Sequence, residues 1–86
     1  MIWAPKARSV ALEFFTQLAA RDAVAAEALR ERLDGALTQI EAGTPPTMTL
    51  VLPDGRVLHR HAIPPLLLTY ERGPRGVMVL QVLTSP

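Results

Sequence analysis

Cysteine is absent from this 86-residue sequence. Its absence excludes a disulfide framework, a thiol nucleophile and any zinc or iron–sulfur site built on thiolates. The sequence also lacks an apolar run of the ~18 residues that a membrane-spanning helix needs, because its longest such stretch, 63–69, contains two prolines. Residues 1–8 do not resemble a secretory signal, since Pro5, Lys6 and Arg8 interrupt any apolar region. We therefore expect a cytoplasmic protein without membrane contact.

The sequence also lacks a large excess of positive or negative charge. The formal net charge is +1, with five basic and six acidic side chains in residues 1–43 and four arginines and two acidic side chains in residues 44–86. So small an excess is not typical of a dedicated nucleic-acid-binding protein, and we do not expect direct binding to nucleic acid. Hydrophobic residues make up 49% of the chain, which indicates a folded domain. The length allows only one such domain, spanning residues 1–86.

Proline divides the chain into a helical half and a non-helical half. No proline occurs from Lys6 to Thr44, whereas six lie between Pro45 and Pro74. Apolar residues at three- and four-residue spacing predict helices over 5–20 and 23–42, with Asp22 as the N-cap of the second. The second helix has an apolar stripe of Leu29, Leu33, Leu37 and Ile40. We expect the sheet to bury this stripe and the two helices to form an antiparallel hairpin.

Beyond Pro46 the hydrophobic period changes to two, which predicts β-strands. The predicted strands are 47–52, 56–63, 66–72 and 77–83, joined as an antiparallel meander. The last strand is apolar on both faces, which favours a central position in the sheet. Ile2 and Trp3 form either a short additional strand or an anchor that leads into the first helix.

Two histidines are the first candidates for chemistry. His59 and His61 lie two apart on a predicted strand and therefore share one face, as a pair of metal ligands would. No third ligand is evident beyond Asp54 or Glu71. We therefore predict no metal site, and we expect no cofactor.

A second use of the same region involves its arginines. Basic side chains beside acid–base residues would hold an RNA phosphate while one group activates the ribose 2′-hydroxyl. The candidates are Arg56, Arg60, Arg72, Arg75, His59, His61 and Tyr70. Single arginines on exposed strands usually serve only solubility, and four make a weak electrostatic footprint. The residues alone leave both alternatives open: solvated or partner-facing side chains, or an RNA-cleaving site.

Several segments carry a resemblance to a known family. They are the opening Ile2-Trp3-Ala4-Pro5-Lys6-Ala7-Arg8, Ala25-Ala26 in the alanine-rich helical region, the run Arg60-His61-Ala62-Ile63-Pro64-Pro65-Leu66-Leu67-Leu68-Thr69-Tyr70-Glu71-Arg72, and Val77-Met78-Val79-Leu80-Gln81-Val82-Leu83. Together these segments resemble the ParE/RelE superfamily of toxins from bacterial toxin–antitoxin (plasmid stabilisation) systems, over nearly the whole chain. Tyr70 and the closing strand fit the ParE-type pattern best.

The resemblance implies both a fold and a role. The fold is α+β, with an N-terminal antiparallel two-helix hairpin packed on a three- to four-stranded antiparallel β-sheet. The role is the toxin of a type II toxin–antitoxin pair, neutralised by a cognate antitoxin, as a homodimer or as a heterotetramer with that antitoxin. Its activity is either ParE-like inhibition of DNA gyrase without turnover or RelE-like, ribosome-dependent cleavage of mRNA. A catalytically inert protein-interaction module of the same fold is a further alternative.

Departures from the family pattern favour the ParE-like activity. The usual aromatic residue of the third strand is Leu66 here, and the histidine that commonly follows the last strand is Thr84. Ribonuclease members place catalytic His, Tyr or Arg side chains near the end of that strand, whereas no residue of 84–86 titrates near neutral pH. We therefore assign no catalytic residue. A ribonuclease would have to use His59, His61, Tyr70, Arg56, Arg60 and Arg72.

The expected contact with the antitoxin is aromatic. Antitoxin segments that fold on binding bury aromatic or aliphatic side chains. Trp3, Phe14 and Phe15 are the candidate anchors on this chain. Because Phe14 and Phe15 are adjacent in a predicted helix, they project about 100° apart, and we expect only one of them to pack on the core surface.

Overall fold

A computed structural model describes residues 1–84 of the chain, while Ser85 and Pro86 lie outside the described residues. The described part is an α+β fold of two helices and five strands. In chain order the elements are β1 (Ile2–Trp3), α1 (Pro5–Arg21), α2 (Ala23–Glu41), β2 (Met48–Val51), β3 (Val57–Ile63), β4 (Leu66–Gly73) and β5 (Gly76–Thr84). Each predicted helix boundary agrees with the structure to within one residue.

One residue, Asp22, separates the two helices and caps both. Its backbone N–H donates to the carbonyl oxygen of Leu18 at the end of α1, over 2.7 Å. Its carboxylate accepts a hydrogen bond of 3.0 Å from the backbone N–H of Ala25 in the first turn of α2. These bonds satisfy groups that helix ends otherwise leave without partners. The helices contact each other, and the antiparallel hairpin expected of them stays a prediction.

The sheet is five-stranded and mixed, in the order β1-β5-β4-β3-β2. The prediction of a three- to four-stranded antiparallel sheet was therefore wrong. The difference arises at β1, which pairs in parallel with β5, Ile2 opposite Met78 and Trp3 opposite Val79. The other pairings are antiparallel. The central position predicted for the last strand is confirmed, because β5 has a hydrogen-bonded neighbour on each side.

Both helices pack on one face of the sheet, which we call the helix-side face; we call the opposite face the open face. Buried residues of the helices and of one sheet face form a single apolar cluster. Its members are Ala7, Ala11, Leu29, Leu33, Ala36, Ile40, Ile63, Leu66, Leu68, Tyr70, Val77, Val79 and Val82. Neither described helix is long and apolar enough to cross a membrane.

An irregularity in β5 keeps its apolar side chains on the helix-side face. The register with β4 shifts between Thr69 and Tyr70, whose partners are Gln81 and Val79, so that Leu80 has no direct partner. Strict alternation would place Val82 and Val79 on opposite faces. Because the shift adds one residue between them, both are buried against the helices.

The stripe of α2 generates a first prediction. Leu33 is buried at 7% exposure, whereas Leu37 is only half-buried and Leu12, on α1, is 59% exposed. Leu33→Ala should lower the free energy of unfolding by about 2–5 kcal/mol because it removes buried methyl groups and leaves a cavity. Leu37→Ala should cost less, and the control Leu12→Ala should change stability by no more than about 0.5 kcal/mol. Urea unfolding measures all three, and equal losses for Leu33→Ala and Leu12→Ala would contradict the burial described here.

Candidate functional site

Four of the predicted site residues meet on the helix-side face, beside the part of the sheet that the helices cover. His59 and Tyr70 are direct cross-strand partners, and their ring centroids lie 5.3 Å apart. His61 is opposite Leu68 on the same face, and Arg72 follows Tyr70 by two residues in β4. We call His59, His61, Tyr70 and Arg72 the helix-side cluster.

Neighbouring strands hold His59 in place. Thr49 of β2 lies directly opposite His59, and the Thr49 hydroxyl and His59 Nδ1 share a hydrogen bond of 3.2 Å. The turn after β2 sets this pairing, because the backbone N–H of Leu52 donates to the carbonyl oxygen of Arg56. When the antiparallel pairing continues from Leu52 and Arg56 toward the start of β2, Thr49 lies opposite His59. Sequence reasoning missed Thr49, although the turn at 53–55 was a sufficient signal.

Arg72 links the cluster to the end of α2. One of its terminal guanidinium nitrogens donates to the carbonyl oxygen of Ile40 over 2.6 Å, and its guanidinium carbon lies 5.8 Å from the centroid of the Tyr70 ring. A cation is favourable at a helix C-terminus, where carbonyl groups lack intrahelical partners. Arg72 therefore has a structural role in joining α2 to β4.

Two polar atoms of the cluster are buried without a hydrogen-bond partner among the described residues. They are Nδ1 of His61 and the hydroxyl oxygen of Tyr70. Tyr70 itself has no exposed surface. A buried polar group without a partner lowers stability, because folding removes its hydrogen bonds to water.

Arg56 and Arg60 lie apart from this cluster. Arg60 sits between His59 and His61 in β3 and therefore points to the open face. Arg56 donates to both carboxylate oxygens of Glu71, over 3.0 and 3.1 Å, and Glu71 follows Tyr70 in β4 and shares the open face with Arg60. The sheet thus separates two of the predicted phosphate-binding arginines from the histidines and the tyrosine.

The Arg56–Glu71 pair shifts the titration of both groups. The hydrogen bonds from Arg56, assisted by its charge, lower the pKa of the Glu71 carboxyl. The hydrogen bond to Glu71 and the charge of that carboxylate raise the pKa of Arg56. Both side chains are solvent-accessible, so salt will screen their attraction.

Trp3, Phe14 and Phe15, the predicted antitoxin anchors, are all half-buried against the apolar core. The two phenylalanine rings meet edge to face, with centroids 6.0 Å apart and planes at 89°. Both phenylalanines therefore pack on the core, although we expected only one to do so. Each of the three side chains keeps part of its surface accessible to solvent.

In the described part of the chain, no further metal ligands accompany the histidines. Within residues 1–84, no group of three or more His, Asp or Glu side chains is arranged to hold a metal ion. The predicted lack of a titratable side chain at the end of β5 concerns residues 84–86. Thr84 is the last residue of the strand, and Ser85 and Pro86 lie outside the described residues. Comparison of the chain with family models, with curated proteins and with solved structures finds no match.

The buried Tyr70 hydroxyl generates a second prediction. Tyr70→Phe should raise the free energy of unfolding by about 1 kcal/mol, because it removes a buried polar group that has no hydrogen-bond partner in residues 1–84. The control Thr38→Val removes an exposed hydroxyl that donates to the carbonyl oxygen of Asp34 and should change stability by no more than about 0.5 kcal/mol. Urea unfolding of both variants provides the measurement. A clear loss of stability in Tyr70→Phe would show that the hydroxyl is hydrogen-bonded in the protein.

A third prediction concerns pH. The pKa of Glu71 is lower in the folded chain than its usual value of 4.5. Its contribution to stability is therefore complete above that usual value and is lost as pH falls through the folded pKa. Between about pH 5 and pH 3 the melting temperature should fall less in Glu71→Gln than in the unmodified chain. The control Glu27→Gln changes an exposed acid of α2 and should keep the full fall; the same fall in all three proteins would exclude Glu71 as its source.

Proposed function

We propose that this chain is the toxin of a type II toxin–antitoxin pair, that its activity is the ParE-like inhibition of DNA gyrase without turnover, and that a cognate antitoxin neutralises it. The resemblance of its sequence segments to the ParE/RelE superfamily supports this proposal. The α+β architecture, with two N-terminal helices on one face of the sheet, agrees with the coarse fold that the resemblance implies.

The separation of the arginines from the histidines carries the choice of activity. Cleavage of RNA through the ribose 2′-hydroxyl needs a base, an acid and cations around a single phosphate. Arg60 and Arg56 lie on the open face, away from His59 and His61, and Arg56 is already bound to Glu71. Arg72 shares a face with the histidines but donates to the end of α2. This arrangement favours inhibition by binding over catalysis.

The proposed antitoxin contact uses the accessible parts of Trp3, Phe14 and Phe15. Each ring already has one side against the core, so an antitoxin segment would cover the remaining surface without reorganising the side chain. Rigid, partly buried aromatic side chains are typical anchors of protein interfaces because little conformational entropy is lost on binding. Assembly as a homodimer, or as a heterotetramer with the antitoxin, belongs to the same proposal.

A RelE-like, ribosome-dependent mRNA endoribonuclease is the second candidate. The observation that favours it is the pair of buried, unpartnered atoms in the helix-side cluster, Nδ1 of His61 and the hydroxyl of Tyr70. These two groups and His59 are the acid–base residues that such an enzyme would use. An inert interaction module of the same fold would show neither activity.

A fourth prediction separates these candidates. The purified chain should inhibit DNA supercoiling by gyrase and should not cleave mRNA on ribosomes. Because gyrase inhibition needs no proton transfer, His61→Ala should keep the inhibition to within about twofold. Lys6→Ala, an exposed change on α1, controls for surface charge.

Two outcomes would contradict gyrase inhibition as the activity of this chain. Ribosome-dependent mRNA cleavage that is lost in His59→Ala or His61→Ala, but not in Lys6→Ala, would make the endoribonuclease the correct function. Absence of both activities, with a stable complex formed on co-expression with a neighbouring antitoxin-like protein, would leave the interaction module.

A further inference from the structure

The open face of the sheet is apolar and uncovered by the helices. Pairing and alternation place seven large apolar side chains on it, none of them fully buried. They are Ile2, Met48, Leu50, Leu58, Leu67, Met78 and Leu83. Contiguous apolar surfaces of this kind mark sites of interaction with partners.

Arg60 lies on β3 within this face, between Met48 of β2 and Thr69 of β4, and Gln81 of β5 continues the same row. Within residues 1–84, no carboxylate is within ion-pair distance of Arg60. Among the same residues, its Nε and the hydroxyl oxygen of Thr69, a residue that is only 3% exposed, are buried without hydrogen-bond partners. A docked ligand cannot reach these two buried atoms. The unpaired charge of the half-buried Arg60, set among apolar side chains, is what favours a ligand of opposite charge.

No carboxylate of residues 1–84 neutralises the charge of Arg60 through an ion pair. Arg56 and Glu71, which also lie on this face, neutralise each other through their paired hydrogen bonds. The strands of this face therefore present the Arg60 guanidinium group among aliphatic side chains. The complementary ligand is a carboxylate with apolar groups beside it.

A pocket of about 340 Å³ lies at the β3–β4 end of the sheet and includes residues of the open face. It is lined by Ala62, Pro64, Pro65, Leu66, Leu67, Leu83 and Thr84. Ala62, in the pocket wall, and Arg60 are two residues apart on one strand, so about 6–7 Å separates their Cα atoms. Residues two apart on a strand or four apart on a helix have a similar spacing.

We propose that the open face binds a segment of another protein in which a carboxylate contacts Arg60 and an aliphatic or aromatic side chain enters the pocket lined by Ala62, Leu67 and Leu83. This inference goes beyond the proposed function, because it requires neither gyrase inhibition nor a toxic activity.

Two other occupants fit the face less well. A second copy of this chain, related by a twofold axis that passes beside Arg60, would bring two Arg60 side chains together without a carboxylate between them. RNA is favoured by several cations and by aromatic platforms for its bases. On the strands of this face Arg60 is not accompanied by aromatic platforms, because Trp3, Phe14, Phe15 and Tyr70 belong to the helices or to the helix-side face.

Selection from a random 12-residue peptide library on the immobilised full chain tests the proposal. The enriched peptides should carry Asp or Glu within four residues of an aliphatic or aromatic side chain. One enriched peptide and its Asn- or Gln-substituted counterpart are then titrated into the isotope-labelled chain. Chemical shifts of Arg60, Thr69 and the Leu67 and Leu83 methyl groups should respond to the acidic peptide.

Matched variants identify the contacts. Arg60→Gln and the amide-substituted peptide should each weaken binding at least about tenfold, as expected for loss of a charge-assisted hydrogen bond. Arg8→Gln, the same change on exposed α1, should leave binding unaltered. Leu83→Gln, at a position 38% exposed, should weaken binding without disturbing the core, and unchanged melting temperatures establish that each variant is folded.

Four results would overturn the proposal. They are failure to enrich any peptide, equal affinity for the acidic and the amide peptides, shifts confined to the helix-side face, and tighter binding of a single-stranded 20-nucleotide RNA or of a second copy of the chain to the open face. None of these results bears on the gyrase assay, so the two proposals fail independently.

Discussion

The register between β3 and β4 decides which side chains share a face of the sheet. Tyr70 is fully buried, and its cross-strand partner is His59. Near the other end of the same pairing, Ile63 lies opposite Leu66, and both are buried under the helices. A slip of one residue would expose this apolar set on the open face, so the hydrophobic effect fixes the register strongly.

This register produces two chemically different surfaces. The helix-side cluster has two imidazoles and a phenol, and its arginine is committed to the carbonyl oxygen of Ile40. The open face has Arg60, which forms no ion pair with any described residue, set among aliphatic side chains. A catalyst needs its acid, base and cations on one side of the sheet. A chain with these groups divided is better suited to recognition than to catalysis.

Much of the helical half was predictable, since the proline-free stretch and the apolar period are local signals. The strands were predictable for the same reason. The parallel pairing of Ile2 with Met78 was not, because it joins residues that are far apart in sequence. The irregularity at Leu80 depends on the burial of Val79 and Val82 against the helices, and the sequence around Leu80 does not indicate it. Alternation already separated Arg60 from His59 and His61, so the proposed cleft containing all three conflicted with the strand prediction itself.

Nuclear Overhauser effects across β3 and β4 report directly whether the two faces of the sheet divide the site residues. We expect cross-peaks between the ring protons of His59 and Tyr70 and between the side chains of Arg60 and Thr69. Cross-peaks between Arg60 and the Tyr70 ring, together with contacts between His59 and Thr69, would place the arginine with the phenol and contradict this division.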